Sequence, residues 1–199
     1  MNRLIIIGAS GHGKVIANIA KLCGYEDIVF LDDDENKKTC AGYPVVGSSK
    51  EAPEGDIFVA IGDMNSRKRL MEAFKDRNQP VLIHPSAVIA DNVEIGKGSV
   101  IMPGTVINPD VKIGCGTIIN TCSSVDHESR VGNYVHIAVG AHLCGNVSVG
   151  ENSHIGAGST IINNISICPD CIIGAGAVVN RDITVPGTYV GVPAHQLRG

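Results

Sequence analysis

The chain has 199 residues, a net charge of −4 and an isoelectric point near 5.9, and 44% of its residues are hydrophobic. This hydrophobic content is enough for a packed core, and the lack of a basic excess argues against nucleic acid as a partner. No apolar run is long enough to cross a bilayer, and the opening residues lack the hydrophobic region and cleavage site of a signal peptide. We therefore expect a folded cytoplasmic protein whose seven cysteines are reduced.

Residues 1–84 predict a small parallel βαβ domain of Rossmann-like type. A helix with apolar residues at helical spacing follows the first strand and ends near Gly24. A second helix is predicted over residues 65–78, with Asn65 as its N-cap. The predicted strands are Arg3–Ile7, Asp27–Leu31, Asp56–Ile61 and Pro80–Ile83. The junction with the rest of the chain falls near His84, so the second domain spans residues 85–199.

The segment GASGHG joins the first strand to the first helix, with glycines at positions 8, 11 and 13. Small residues at a helix N-terminus let backbone N–H groups approach a phosphate. Asp32 and Asp33 follow the next strand, where carboxylates can bind a ribose or a base. The spacing differs from the dinucleotide motif G-x-G-x-x-G, so a tight turn with a solvated acidic loop remains an alternative to nucleotide binding.

Residues 87–188 divide into 17 consecutive hexads. The third position of every hexad is Ile, Val or Leu, and positions four to six are rich in turn formers. A period of six fits neither a helix nor a plain strand, but it fits the coils of a parallel β-helix with three hexads to a coil. Such a thin core has little room for aromatic side chains, which agrees with their 4% share and the absence of Trp.

These hexads resemble the hexapeptide-repeat acyltransferases, which implies a left-handed parallel β-helix. The segments GASGHGKV, FLDDD, VAIGD, LIHPSA, NTCSSVDHE and GVPA extend the resemblance over essentially the full length. Together they resemble sugar O/N-acyltransferases of the NeuD and PglD type, and most of all the PglD-like N-acetyltransferases of nucleotide-linked 4-amino sugars. The resemblance implies an acetyl-CoA-dependent enzyme that uses no metal and acts on the 4-amino group of a UDP-linked 4-amino-4,6-dideoxy sugar of bacillosamine type.

The same resemblance implies a nucleotide-sugar site in the first domain. Its diphosphate would bind at Ser10, Gly11, His12 and Gly13. Asp32 and Asp33 would bind the base or ribose, and Gly62 would line the same cleft.

His127 is the candidate catalytic residue of the hexad region. A sugar amine is mostly protonated at neutral pH and must lose a proton before it can attack a thioester, a task that suits histidine. A neighbouring carboxylate can fix the imidazole tautomer, and Asp126 and Glu128 both flank His127. We favour Glu128. Gly145 lies 18 residues after His127, one coil further on, where a backbone N–H could serve the oxyanion.

The resemblance assigns the role of general base to His127 and that of its orienting residue to Glu128 or Asp126. It places Asn120 in the same pocket and His136 in contact with substrate or acetyl-CoA. Acetyl-CoA would lie in a groove between subunits of a homotrimer, lined by Gly145, Ala157, Gly174 and Ala175. The cofactor's phosphates would meet a basic residue from the end of the chain, namely Arg181, His195 or Arg198.

Four alternatives remain open at this stage, one of which is a covalent acyl-enzyme formed at Cys122 or Cys144. O-acetylation of sialic acid or another sugar could use the same histidine, and a bare β-helix could be a non-enzymatic binder. A zinc enzyme of the bicarbonate-metabolising type would need three histidine ligands, and His127, His136 and His154 lack the sequence context of that family. The pair Cys168 and Cys171 has CxxC spacing but no second ligand pair, so we interpret both as small corner residues.

Overall fold

The structure is a computed structural model that describes residues 3–197 of the chain. These residues form two compact units, the first ending at Pro85 and the second beginning at Ser86. None of the helices within residues 3–197 is long and apolar enough to cross a membrane.

The first unit is an α/β domain around a five-stranded sheet. The strands of this sheet are β1 (Arg3–Ile7), β2 (Asp27–Leu31), β3 (Thr39–Cys40), β4 (Tyr43–Gly47) and β5 (Asp56–Val59). The unit also contains a short strand outside this sheet, β6 (Leu82–Ile83), and the helices α1 (Gly11–Leu22) and α2 (Met64–Ala73). The sheet order is β3-β4-β2-β1-β5, and β1 pairs in parallel with both β2 and β5. The central strand β1 is fully buried from Leu4 to Ile7, as expected for a parallel sheet.

Three local predictions for this unit were wrong. Residues 80–83 were predicted to form a fourth strand of the parallel sheet, but β6 spans only Leu82–Ile83 and is not part of the five-stranded sheet. The N-cap of α2 is Asp63 rather than Asn65, because the Asp63 side chain accepts a hydrogen bond from the backbone N–H of Ser66 at 2.8 Å. The helix also ends at Ala73, and the buried amide of Gln79 donates to the carbonyls of Met71 and Phe74 near that end. The hairpin of β3 and β4 carried no clear signal in the sequence.

The second unit is a left-handed parallel β-helix of two-residue strands, which we call the prism. Its first face contains β7 (Val88–Ile89), β10 (Val106–Ile107), β13 (Ser124–Val125), β16 (His142–Leu143), β19 (Thr160–Ile161) and β22 (Val178–Val179). The second face contains β8 (Glu94–Ile95), β11 (Lys112–Ile113), β14 (Arg130–Val131), β17 (Ser148–Val149) and β20 (Ser166–Ile167). The third face contains β9 (Val100–Ile101), β12 (Ile118–Ile119), β15 (His136–Ile137), β18 (His154–Ile155), β21 (Cys171–Ile173), β23 (Gly187–Val190) and β24 (His195–Gln196).

The hexad register explains the core of the prism. Third-position side chains from Ile101 to Val179 are buried, and residues 18 apart pair in parallel, for example Ile119 with Ile137. Each such aliphatic side chain contributes about 1.5–3 kcal/mol by burial. Buried first-position hydroxyls link the coils: Ser99 Oγ accepts from the backbone N–H of Thr117 and donates to the carbonyl of Gly114, both at 2.9 Å.

The corners of the prism have one recurring backbone conformation. The sixth residue of every hexad from residue 92 to residue 176 has a positive φ. Most of these residues are Gly, Asn or Asp, which tolerate the left-handed region best. The exceptions are Cys122, Glu128 and Tyr134, three successive corners of the chain.

The prediction of 17 uninterrupted hexads was wrong for the last one. Ile167 bridges to Ile183 and Ile173 pairs with Tyr189, so the final coil has 16 residues instead of 18. As a result Ile183 occupies the inward place, while Val185, the predicted core residue, is 54% exposed.

Candidate active site

His127 lies at the corner between the first and second faces of the prism. Its ring is half exposed, and its Nδ1 lies 3.1 Å from Oε2 of Glu128. Its Nε2 has no hydrogen-bond partner within residues 3–197. The ring therefore has one nitrogen held by a carboxylate and the other available to a substrate, which is the arrangement that a general base requires.

Glu128 reaches the imidazole because of the unusual backbone at this corner. Its φ is +59°, and its backbone N–H donates to the carbonyl of Pro109 at 3.1 Å. Side chains of neighbouring residues point apart in a regular strand, but the left-handed conformation turns the Glu128 side chain back toward the ring of His127.

Asp126 holds the backbone of His127 rather than its ring. Asp126 Oδ1 accepts from the backbone N–H of His127 at 2.8 Å and from Asn108 Nδ2 at 2.6 Å. The Asn108 amide, followed by the His127 N–H, lowers the pKa of Asp126 below its usual value. Asn108 was missed in the sequence, although its position 18 residues before Asp126 places it directly one coil below.

Gly145 lies one coil above His127, as its spacing predicts. A Cβ at this position would lie 2.5 Å from Nε2 and 2.6 Å from Cε1 of His127. The missing side chain therefore makes room for the imidazole itself. The backbone N–H of Gly145 donates to no acceptor within the described part of the chain, so it is available beside the ring.

A second polar cluster lies on the third face and at its corner with the first face. Asn120 Nδ2 lies 3.0 Å from His136 Nε2, while Asn120 Oδ1 accepts from the backbone N–H of Thr121. The amide is thereby oriented with its Nδ2 facing the His136 ring. His136 and His154 stack edge to face with ring centroids 4.9 Å apart, as their 18-residue spacing predicts.

The residues predicted to bind acetyl-CoA are divided between two corners of one chain. Ala157 and Ala175 are exposed at the same corner as Asn120, whereas Gly145 lies at the corner of His127. A Cβ at Gly174 would lie 2.8 Å from Val190 Cγ1, so this glycine also has a packing role. Arg181 and His195 line a cavity of about 260 Å³ near the last coil. Arg198 lies outside the described residues.

The loop after β1 leaves backbone open at the start of α1. Ser10 is the N-cap but makes no side-chain capping bond, and a Cβ at Gly11 or Gly62 would meet nothing within 4 Å. Gly13 differs, because a Cβ there would collide with the carbonyl oxygen of Gly8. Gly13 is thus required for packing of α1 against the loop.

His12 is held in its neutral form. Its Nε2 is buried and has no hydrogen-bond partner among residues 3–197. Burial, and then the charge of Arg67, lower the pKa of His12 to about 4. Arg67 is itself buried, and its Nη1 donates to the carbonyls of Ile61 and Gly62 at 2.9 Å.

Asp32 and Asp33 both have partners within the chain. Asp32 Oδ2 accepts from the backbone N–H of Ala9 at 2.8 Å and from Lys37 Nζ at 2.9 Å. Burial acts to raise the pKa of Asp32, but these contacts and the Asp34 N–H outweigh it and lower the pKa. Asp33 accepts from the backbone N–H and the hydroxyl of Ser49, which lower its pKa as well. The two carboxylates therefore help to hold the loops that follow β1, β2 and β4.

The CxxC pair forms a contact in the last coils of the prism. Cys168 Sγ and Cys171 Sγ lie 3.5 Å apart as free thiols. Burial and the hydrogen bond with Cys168 raise the pKa of Cys171 to about 12. No group of three or more His, Cys, Asp or Glu side chains suited to a metal ion occurs within residues 3–197.

Comparison with known proteins gives matches to both units. Residues 3–74 match the PglD N-terminal domain, and residues 79–109, 128–163 and 146–181 match the bacterial transferase hexapeptide repeat. A curated relative is the UDP-N-acetylbacillosamine N-acetyltransferase of Bacillus subtilis strain 168, 36% identical over 113 residues. That alignment covers 51% of this chain and 52% of the relative, so it spans about half the length of each.

Two solved structures match over nearly the whole chain. The acetyltransferase domain of PglB from Neisseria gonorrhoeae FA1090, in complex with acetyl coenzyme A, is 39% identical with a TM-score of 0.94, covering 99% of this chain and 100% of that one. PerB from Caulobacter crescentus, in complex with CoA and GDP-perosamine, is 37% identical with a TM-score of 0.93, covering 100% of this chain and 98% of that one. With this fold, this site and these relatives, the chain belongs to the PglD and PglB family of hexapeptide-repeat sugar acetyltransferases.

Proposed function

We propose that the protein transfers an acetyl group from acetyl-CoA to the 4-amino group of a nucleotide-linked 4-amino-4,6-dideoxy sugar, and that the nucleotide is UDP. The observation that carries this proposal is the His127–Glu128 pair, which leaves the imidazole Nε2 free beside Gly145. The names of the relatives support the reaction type, since they describe N-acetyltransferases of bacillosamine and perosamine.

His127 acts as the general base in direct attack. Its Nε2 takes a proton from the sugar amine while the nitrogen attacks the thioester carbonyl carbon. Glu128 stabilises the imidazolium that forms, because its carboxylate lies on Nδ1. The tetrahedral oxyanion receives the N–H of Gly145. When the C–S bond breaks, the CoA thiolate takes the proton from His127, and no acyl-enzyme forms.

The first unit binds the nucleotide sugar in this proposal. Ser10, Gly11 and His12 lie at the start of α1, where open backbone and the helix dipole favour a diphosphate. Asp32 and Asp33 line the part of the cleft that receives the base or ribose. His12 remains neutral at physiological pH, so it contributes a hydrogen bond and no charge.

Acetyl-CoA lies against Asn120, His136, Ala157 and Ala175, with active sites completed between subunits of a homotrimer. The division of the predicted residues between two corners of one chain supports this, because a neighbouring prism could bring the two corners to one groove. Light scattering after gel filtration tests it, and a particle of three 20.8 kDa chains is expected. We place the enzyme in the cytoplasm, since its seven cysteines are free thiols.

One assay tests the reaction. Purified protein is incubated with acetyl-CoA and a panel of UDP- and GDP-linked 4-amino sugars together with free sialic acid, and loss of the thioester absorbance is followed. Turnover of an amino sugar by the wild type, with loss of at least a thousandfold in His127→Ala, is expected. Turnover of sialic acid alone would contradict the N-acetyltransferase proposal and favour an O-acetyltransferase.

A further inference from the structure

An amide–carboxylate contact lies beneath the catalytic corner of the prism. The fourth hexad position at the corner of the first and second faces is occupied by Ala90, Asn108, Asp126, Cys144, Ile162 and Asn180. Asn108 and Asp126 are the two polar residues in successive coils of this column, and Asn108 lies one coil below the corner that contains Asp126 and His127. Their amide–carboxylate bond is 2.6 Å long.

This bond fixes an oxygen that the corner depends on. Asp126 Oδ1 accepts from Asn108 and from the backbone N–H of His127, so the amide locks the carboxylate in the rotamer that holds His127. The corner is otherwise held by three backbone bonds, from the N–H groups of Asp126, Glu128 and Asn146 to the carbonyls of Leu143, Pro109 and His127, respectively. Because the ring is half exposed, packing does little to restrain it.

We infer that Asn108 is a positioning residue for acetyl transfer, acting through Asp126 on the backbone of His127. The inference rests on the proposed role of His127 as general base. The Asn108 side chain makes no hydrogen bond to the imidazole ring or to Glu128, so we confine its effect to the geometry of the corner. Reacting groups displaced by about 1 Å lose on the order of a hundredfold in rate.

The prism offers a matched control for this inference. Asn152 Nδ2 donates to Asp170 Oδ1, again across 18 residues, at a corner between the second and third faces. Asn108→Asp and Asn152→Asp thus each place a carboxylate opposite an aspartate and remove one amide donor. We expect similar losses of thermal stability in the two variants. The kcat of Asn108→Asp should fall about 10- to 100-fold with the KM values of both substrates unchanged, and Asn152→Asp should keep the wild-type kcat.

A double-mutant cycle provides the second measurement. Asn108 acts through the Asp126 carboxylate, which Asp126→Ala removes. Asn108→Ala should therefore lower kcat in the wild-type background but cause little further loss in the Asp126→Ala background, a coupling that simple loss of stability would not produce.

The outcomes separate the two proposals. If Asn108→Asp keeps kcat within twofold of the wild type, or if Asn152→Asp loses as much, or if Asn108→Ala lowers kcat as much in the Asp126→Ala background as in the wild type, the positioning role is overturned. If His127→Ala, assayed in parallel, keeps the wild-type rate, the general-base proposal itself fails. An inactive His127→Ala beside a fully active Asn108→Asp would overturn the positioning role alone.

Discussion

Substitution of Gly145 by alanine tests the geometry of the proposed active site directly. The added Cβ would lie 2.5 Å from Nε2 of His127, whereas a comfortable contact is about 3.5 Å. The imidazole must therefore move by roughly 1 Å. The half-exposed ring can turn into solvent, so the loss of stability should stay below about 1 kcal/mol.

The catalytic loss should be much larger than the structural one. A displacement of about 1 Å in a reacting group costs on the order of a hundredfold in rate. We expect Gly145→Ala to lower kcat about 100-fold, measured by loss of thioester absorbance, with the melting temperature close to that of the wild type.

Gly132→Ala is the control, because the same substitution meets a different neighbour. A Cβ at Gly132 would lie 2.6 Å from the backbone nitrogen of Glu151, at a corner without His127. A backbone nitrogen cannot rotate away from the new Cβ as the imidazole of His127 can. This variant should therefore lose thermal stability and keep the kcat of the folded enzyme. If Gly145→Ala keeps kcat within threefold of the wild type while His127→Ala is inactive, the inferred position of the imidazole is wrong.

Three further predictions follow from the strained corner and the shifted pKa values. Glu128→Asn should raise the melting temperature, because the left-handed conformation of this corner costs asparagine roughly 1 kcal/mol less than glutamate. The same substitution should lower kcat about tenfold. A lower melting temperature would contradict the strain at this corner. The NMR signal of the His12 ring should titrate near pH 4. Because histidine in the unfolded chain has a pKa near 6.5, the free energy of unfolding should fall as the pH drops from 6.5 toward 4. A titration midpoint near 6.5 would contradict burial of the neutral ring. Iodoacetamide at pH 8 should spare Cys171 in the native protein, whose pKa is about 12, and modify the exposed thiols of Cys23 and Cys122; peptide mass spectrometry measures this, and early labelling of Cys171 would contradict it.

The prism could be predicted from the sequence because its period repeats. Each aliphatic residue at a third position supports the same assignment of core positions, so an error in one hexad is corrected by its neighbours. That support is missing at the end of the chain, where the last coil is two residues short. Nothing in the letters ITVPGT distinguishes a core Val185 from a core Ile183, since both are β-branched and both follow polar residues.

The site was predicted less completely than the fold, and Asn108 shows why. The prediction treated Asp126 and Glu128 as rival partners for one ring nitrogen, because adjacency along the chain was the available signal. The structure gives them different tasks, since a left-handed residue turns its side chain back while its predecessor reaches the backbone N–H. Recognising Asn108 would have required applying the 18-residue spacing to polar residues as it was applied to the aliphatic ones.

Three corner residues depart from the Gly, Asn and Asp pattern of the repeat, and one of them lies beside His127. Cys122, Glu128 and Tyr134 each hold a positive φ without the side chain that best tolerates it, and Glu128 carries the carboxylate that orients His127. An asparagine there would suit the backbone, as it does at Asn146 and Asn164, but could supply no negative charge to an imidazolium. The strain of roughly 1–2 kcal/mol is sustained because the coils on either side fix the corner through parallel strand pairing. The regularity of the repeat therefore allows one corner to depart from the common pattern, and the proposed general base lies at that corner.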